Sequence, residues 1–440
     1  MKNRRIFWIA GALAVWVLWM GSDVSGAEPA FDFTADDRLL IMAPHPDDEA
    51  LGTGGMLQAA LAAKARVKVV YFTHGDDNEA ASLFYLKKPL LLKKDILKIG
   101  AVREAEARIA MSSLGVLPED LVFLGYPDSG LMVIWRKHWG PARPFRSFLT
   151  KIDRVPYKDS YAPDSLFKGE NIQRDLREIL EAYRPTQVFV TAPFDLHADH
   201  QSAYLFLNLA LLDLKNKISE PKLYFYLIHF SDWPPLSAKG GSAFGGKPPA
   251  SISGDRRVVW AMSPLSQSQI KVKKQLLEKY SSQMAYNKKF LLSFVRTDEF
   301  FGRADFEKIS AVDHTLKPAE RAEFFIREGQ FWISAPLKEP FDERGAFNLE
   351  LFGYRSDQDF ARMPKLSLRL FGKRLKVKDG FKNVYKQRIL FRLEPNRVLI
   401  RLPLAALGRP QIVFTRMETS GQKPSLDFGS WRILEIPNEP

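Results

Sequence analysis

The 440 residues contain no cysteine, which excludes disulfide staples, thiolate nucleophiles and every Cys-ligated zinc or iron–sulfur site. Histidine is scarce, seven in all, so a metal would have to be held by a few imidazoles and by Asp or Glu. Beyond residue 20 no apolar run reaches the roughly 18 residues that mark a membrane-spanning helix. Internal repeats and low-complexity tracts are also missing. Acid is in deficit: 51 Asp and Glu face 64 Lys and Arg, for a net charge of +13. That balance favours an acidic partner, whether anionic glycan, membrane surface or nucleic acid. What is present is 46% hydrophobic and 12% aromatic residues, enough to bury a sizeable core and to exclude a largely disordered chain. At about 150 residues per domain the length allows two or three domains.

The first residues read as an address. Lys2, Arg4 and Arg5 precede an uncharged run, Ile6 to Met20, and Ser25-Gly26-Ala27 resembles a cleavage site. Residues 1–27 are therefore expected to be a signal peptide, with an uncleaved N-terminal anchor as the alternative. The expected location is periplasmic, cell-envelope or extracellular, and nucleic acid does not suit an exported protein.

Strand-like runs then alternate with helical ones. Arg38–Ala43, Val67–Thr73, Leu121–Leu124, Gln187–Thr191 and Lys222–Leu227 read as strands, and Val258–Trp260 as a further candidate. Between and after them, Ala50–Lys64, Val102–Leu114, Glu170–Tyr183, Ser202–Leu214 and Ser263–Gln283 read as helices. This rhythm predicts an α/β, Rossmann-like, mostly parallel sheet with helices on both faces. From about 320 it changes. Glu323–Ala335, Phe347–Tyr354, Lys365–Phe371, Arg388–Leu393, Arg397–Leu402, Gln411–Thr415 and Trp431–Ile436 alternate apolar and polar residues, which predicts an all-β sandwich over 320–440. The border falls within 304–320, and the Gly/Pro/Ser-rich stretch with Gly240-Gly241, Gly245-Gly246 and Pro248-Pro249 reads as a surface loop.

Two clusters carry chemistry. Pro44-His45-Pro46-Asp47-Asp48-Glu49 follows the first strand, and Asp195-Leu196-His197-Ala198-Asp199-His200 follows the Gln187–Thr191 strand. Both loops lie at the carboxyl ends of strands, where open α/β sheets bind ligands. A bland reading makes Asp47 or Asp48 a helix cap and Glu49 a partner of the helix dipole. Adjacent carboxylates beside imidazoles, however, repel unless a cation joins them. The two loops together supply the His, Asp and His of a catalytic zinc with an open position for water. One of Asp47 and Asp48 can bind metal while the other acts as general base. His197, if not a ligand, can protonate a leaving nitrogen or stabilise an oxyanion, held by Asp199. The kit suits amide hydrolysis. Gly52-Thr53-Gly54-Gly55 is a poor dinucleotide fingerprint, because acids fill the turn where a pyrophosphate would sit; small residues there let a helix approach the sheet.

Pro44–Glu49 with Gly52 and Gly54-Gly55 resembles the signature of the PIG-L/LmbE-type N-acetylglucosaminyl de-N-acetylases, and His197-Ala198-Asp199-His200 is similar to that family's H-x-D-H motif. Phe72–Gly75 resembles its T-x-G loop, Val102–Ala107 its R-x-x-E helix, Leu124–Gly130 its G-Y-x-D segment and Tyr280–Gln283 its Y-x-S-Q piece. The resemblance covers residues 36–303. It implies a deacetylase domain with Zn2+, or another divalent cation, on His45, Asp48 and His200. It further implies Asp47 as general base, His197 as acid or oxyanion group and Asp199 as its orienting carboxylate. Arg103 and Asp128 would lie on the sugar side. His74 stands where many members carry Arg, as a sugar contact or a plain loop residue.

The implied function is an exported, zinc-dependent N-deacetylase acting on an N-acetylhexosamine-containing glycan or glycoconjugate, anionic in keeping with the charge. The alternative is a non-catalytic glycan-binding protein on the same fold. Residues 130–168 interleave Trp135, Trp139, Phe145, Phe148, Tyr157 and Tyr161 with cations; they read either as a lid or as a loop packing its own aromatics. His138 gains no metal role from the sequence; His229 and His314 lack partners of ligand type at suitable spacing and read as structural. Gly372–Lys382 and Arg388–Arg401 place cations on strands; such runs are usually solvated faces, and as a binding face they would suit acidic polysaccharide or phospholipid head groups, in keeping with membrane-surface or cell-envelope association. The last hundred residues faintly resemble DOMON-like and carbohydrate-binding β-sandwich modules.

Overall fold

A computed structural model describes residues 31–77, 79–88, 90–231, 233–234, 248–309, 321–340, 345–380, 382–383, 389–419 and 427–437. The expected signal segment, His314 and residues 240–247 of the Gly/Pro/Ser-rich loop fall outside these residues. Strand β1 (Arg38–Ala43) is fully apolar after its first residue and buried, the mark of a strand covered on both faces. It is followed by α1 (Asp48–Ala62), β2 (Arg66–Thr73), α2 (Glu79–Leu86), α3 (Lys93–Ser112), β3 (Leu121–Tyr126), α4 (Leu131–Lys137), α5 (Gly169–Tyr183), β4 (Gln187–Thr191), α6 (Ala198–Asp213) and β5 (Lys222–Tyr226). Then come α7 (Ala250–Ser253), β6 (Val259–Pro264), α8 (Gln267–Leu277), α9 (Ser281–Ser293) and β7 (Asp298–Arg303).

The sheet order is β3-β2-β1-β4-β5-β7-β6. The first five strands are parallel, and β7 and β6 join antiparallel. The chain leaves β1 toward β2 on one side and returns to β4 on the other, so the switch point lies between β1 and β4. Both chemical loops open there. The small residues of α1 act as expected: a Cβ on Gly52 would come 2.1 Å from the ring of Tyr226, whose hydroxyl donates to the Met42 carbonyl under the helix.

Three local expectations need correction. The single helix over Ser263–Gln283 is instead the end of β6, α8 and the start of α9. Ser266 and Gln269 form a capping box that starts α8, and the Glu106 carboxylate takes the Ser282 N–H and both Ser281 and Ser282 hydroxyls, fixing a new start at α9. Helix α3 begins at Lys93, well before Val102, because Asp95 accepts the Leu92 N–H. The 130–168 segment is not a free lid: Trp135, Trp139 and Phe145 are buried, and α4 belongs to the core.

The remaining strands are β8 (Glu307–Lys308), β9 (Glu323–Arg327), β10 (Gln330–Pro336), β11 (Ala346–Tyr354), β12 (Lys365–Phe371), β13 (Arg374–Asp379), β14 (Lys382–Asn383), β15 (Leu390–Glu394), β16 (Arg397–Pro403), β17 (Ile412–Thr419) and β18 (Trp431–Glu435). They form a four-stranded sheet, β15-β16-β10-β9, and a seven-stranded one, β14-β13-β12-β11-β17-β18-β8. Glu323–Ala335 is thus a hairpin, turned by Glu328 and Gly329 at positive φ, not one strand. One apolar cluster, including Phe331, Ile333, Leu349, Leu368, Ile400 and Val413, joins the two sheets.

The other side of the larger sheet joins the α/β core. Trp135 of α4 lies against Phe352, Phe360, Phe414 and Trp431, with ring centroids 5.3–6.3 Å away. Arg136 grips Glu350 through two bonds of 2.7 and 2.6 Å. The β-rich region therefore shares a core with the first sheet.

Candidate metal centre

Three atoms converge at the switch point. His45 Nδ1 is 3.1 Å from Asp48 Oδ2, His200 Nε2 is 3.2 Å from the same oxygen, and the two nitrogens are 3.3 Å apart. Zinc bonds of about 2.0–2.2 Å in tetrahedral geometry place donor atoms at nearly this separation. The local fold explains the triangle. His45 lies two residues past β1; Asp48 begins α1 and accepts the His45 N–H at 2.9 Å; His200 sits in the first turn of α6. All three side chains are buried.

Each imidazole has a carboxylate on its far nitrogen. His45 Nε2 lies 3.1 Å from Asp128 Oδ1 and 3.5 Å from Asp199 Oδ2, and His200 Nδ1 lies 3.2 Å from Asp195 Oδ2. Such outer carboxylates fix ring orientation and tautomer in metal sites. Burial alone would suppress the charge of both imidazoles, yet Asp128 holds His45 well above its usual range, and Asp48 and Asp195 carry His200 to about 9. Burial also opposes ionisation of Asp48, but the His200 and His45 rings hold its carboxyl well below 3.8. Around these rings Asp47, Asp48, Glu49, Asp128, Asp195 and Asp199 are buried, and the buried guanidinium of Arg103 lies beside Asp47. The donor set calls for a cation. A nitrogen of His197 also lies within 4.8 Å of ring nitrogens of His45 and His200, but His197 Nδ1 already accepts the Asp199 N–H.

Asp47 stands at the N-cap of α1, yet its side chain makes no capping bond. The helix-cap reading therefore does not account for it. Its φ of 123° is a strained value for a residue with a side chain. Two neighbours hold that conformation: the Asp47 N–H donates to Glu49 Oε2 at 3.1 Å, and Tyr280 donates to the other Glu49 oxygen. Burial raises the Asp47 carboxyl to about 7, against the lowering pull of Arg103, whose Nη2 is 3.3 Å away.

Several expected roles move. Arg103 does not reach outward as a sugar contact. It is buried, donating to the carbonyls of Gly75 and Pro46 at 2.7 Å each, and so ties the two loops on either side of Asp47 together. Gly75 is required there: its φ is +64°, and a Cβ would come 2.2 Å from the guanidinium. His74 is likewise no sugar contact. It is fully buried, paired with Glu104 at 3.0 Å and stacked 3.7 Å from Tyr157. Asp128 lies behind His45 Nε2, and its other oxygen accepts the Asp77 N–H at 2.8 Å. The Asp199 carboxylate takes the N–H groups of Ser129 and Leu131 at 2.6 and 3.1 Å and does not orient the His197 ring. Burial, with the His45 and His200 rings beside it, lowers His197 to about 3, leaving a neutral imidazole with its proton on Nε2.

Sequence reasoning assigned no role to Asp195 and passed His229 over as structural. Asp195 accepts the N–H groups of His197, Ile228 and His229 at 2.9–3.0 Å. The His229 ring lies 5.1 Å from that of His200 and stacks on Phe290. Only the D-x-H-x-D-H spacing could have raised Asp195; nothing in the local sequence marks His229. Asp76 and Asp77, pushed by burial to about 6 and about 7, add carboxyl groups beside Asp128.

Comparison with known proteins agrees with this region. Residues 40–211 match the PIG-L family, described as GlcNAc-PI de-N-acetylase. A 1D-myo-inositol 2-acetamido-2-deoxy-alpha-D-glucopyranoside deacetylase 1 of Catenulispora acidiphila is 37% identical over 114 residues, 24% of this chain and 33% of the relative. Its namesake in Saccharopolyspora erythraea is 33% identical over 178 residues, 39% of this chain and 52% of the relative. The chain thus spans a third to about half the length of these relatives. Among solved structures, the N,N'-diacetylchitobiose deacetylase of Pyrococcus horikoshii is 17% identical, with a TM-score of 0.34 over 61% of this chain and 84% of the other.

Proposed function

We propose that the protein is a zinc-dependent N-deacetylase that removes an acetyl or related acyl group from an N-acetylhexosamine in a glycan or glycoconjugate. The observation that carries this reading is the triangle of His45 Nδ1, Asp48 Oδ2 and His200 Nε2, with sides of 3.1–3.3 Å and an outer carboxylate behind each imidazole. The relatives' names support the sugar class. A divalent ion held by these three residues would polarise an amide carbonyl and bring the pKa of a bound water toward about 7.

The remaining work falls to this chain's own groups. Asp47, pushed to about 7, is poised to take a proton from the attacking water and to return it to the amine as the C–N bond breaks. Neutral His197 offers its Nε2–H to the amide oxygen as negative charge builds there, which favours the oxyanion role over proton donation. Arg103 and Glu49 keep Asp47 aimed. Export rests on Lys2, Arg4, Arg5, the apolar Ile6–Met20 run and Ser25-Gly26-Ala27.

The test is acetate release by the intact protein from N-acetylglucosamine oligomers and from inositol-linked N-acetylglucosamine, paired with metal analysis. The expected result is one divalent ion per chain and turnover lost to chelator and to Asp47→Asn. Glycan binding unchanged by chelation, with no acetate from any substrate, would establish a binding protein instead.

A further inference from the structure

The outer side of the seven-stranded sheet changes character along its strands. Phe352, Lys365 and Phe414 are covered by α4 and its neighbours. Moving along β11, β12 and β13, the same side carries Glu350, Ser367 and Lys378 in register, then Asn348, Arg369 and Lys376, then Ala346, Phe371 and Arg374. Arg369, Arg374, Lys376 and Lys378 are exposed, and none makes a hydrogen bond or ion pair within the described residues. Arg369 and Lys376 are directly opposite, an arrangement that destabilises a sheet. The nearby acids are occupied: Glu350 by Arg136, Glu418 by Arg416 and Asp379 by the Lys365 N–H. Among the described residues no acid pairs with these four cations.

The sheet that carries them is also tied to the metal centre. Helix α4 connects the two: Leu131 at its start donates to Asp199 beside His45, and Arg136 in its last turn holds Glu350 next to Ser367. At about 1.5 Å per residue this seven-residue helix is itself roughly 10 Å long. We infer that the outer face of β12 and β13 docks an anionic polysaccharide segment of the same substrate whose N-acyl sugar reaches the metal centre. The inference rests on the deacetylase reading for its second contact only. A bilayer is the poorer occupant, because Phe371 is the one large exposed apolar side chain among these residues, and interfacial binding needs buried apolar area as well as charge.

The experiment compares the full chain with the combined variant Arg369→Gln, Arg374→Gln, Lys376→Gln and Lys378→Gln. Binding is measured to polygalacturonate and to phosphatidylglycerol-containing vesicles at low and physiological salt, and acetate release is followed on a neutral N-acetylglucosamine oligomer. The expected result is polygalacturonate affinity reduced about tenfold or more at low salt, with turnover of the neutral oligomer unchanged. Equal polygalacturonate affinity overturns the inference, as does loss of vesicle binding alone. Absence of acetate from both proteins contradicts the deacetylase reading and leaves docking to the binding arm.

Discussion

At Asp47 the side chain, the backbone and the charge all point to one use. The residue types were readable: adjacent acids beside His45 in a βα loop, and a second His/Asp loop on the same sheet edge. What the sequence hid was which group holds which. Arg103 and Asp128 were expected on the sugar side, and His74 as a sugar contact or a plain loop residue, only through resemblance to family motifs. Their actual partners, the Gly75 and Pro46 carbonyls, His45 and Glu104, are set by long-range packing. Asp47→Asn is expected to reduce kcat by about 10²–10⁴-fold, the range of a general base, while metal content stays at one ion. Arg103→Gln should lower kcat about 10–100-fold, as loss of an orienting partner does, with little change in KM. A large rise in KM with kcat intact would restore the sugar-contact role.

Among the elements, α1 shows how much of the packing was legible. Its Gly52-Thr53-Gly54-Gly55 run announced close approach to the sheet, and the approach is to Tyr226. Gly52→Ala should therefore cost about 1–3 kcal/mol, as overpacking does, read as a lowered denaturation midpoint. Strand ends and the break between α8 and α9 were not legible, because Glu106, far away in the chain, fixes the start of α9. The positive φ of Asp47 was equally hidden, since it depends on Glu49 and Tyr280 together.

Across the two halves of the chain, alternation periods distinguished the α/β region from the β-rich one, but not their union. Trp135 reads as part of a lid or of a loop packing its own aromatics, whereas β11 and β17 cover it. The Trp431 backbone N–H donates to the Pro193 carbonyl at 3.1 Å, and Gln201 bridges Asp195 and Gly429, so the last strand supports the loop that carries His197 and leads into the first turn of α6 with His200. Lys365 lies in this seam, its ammonium over the Phe360 and Trp139 rings and donating to the Met363 carbonyl at 3.2 Å. Burial pushes it from 10.5 to about 7. Between those two values the unfolded chain holds a proton that the folded chain has released, so this group makes stability rise with pH across that window. Lys365→Met should flatten that rise, measured as denaturation midpoints from neutral to alkaline pH; an unaltered slope would contradict the assignment.

The most direct measurement is anomalous diffraction from crystals grown with zinc. One strong peak is expected, bonded to His45 Nδ1, Asp48 Oδ2 and His200 Nε2 at about 2.0–2.2 Å. A peak elsewhere, or none at this triangle under saturating metal, would contradict this expectation.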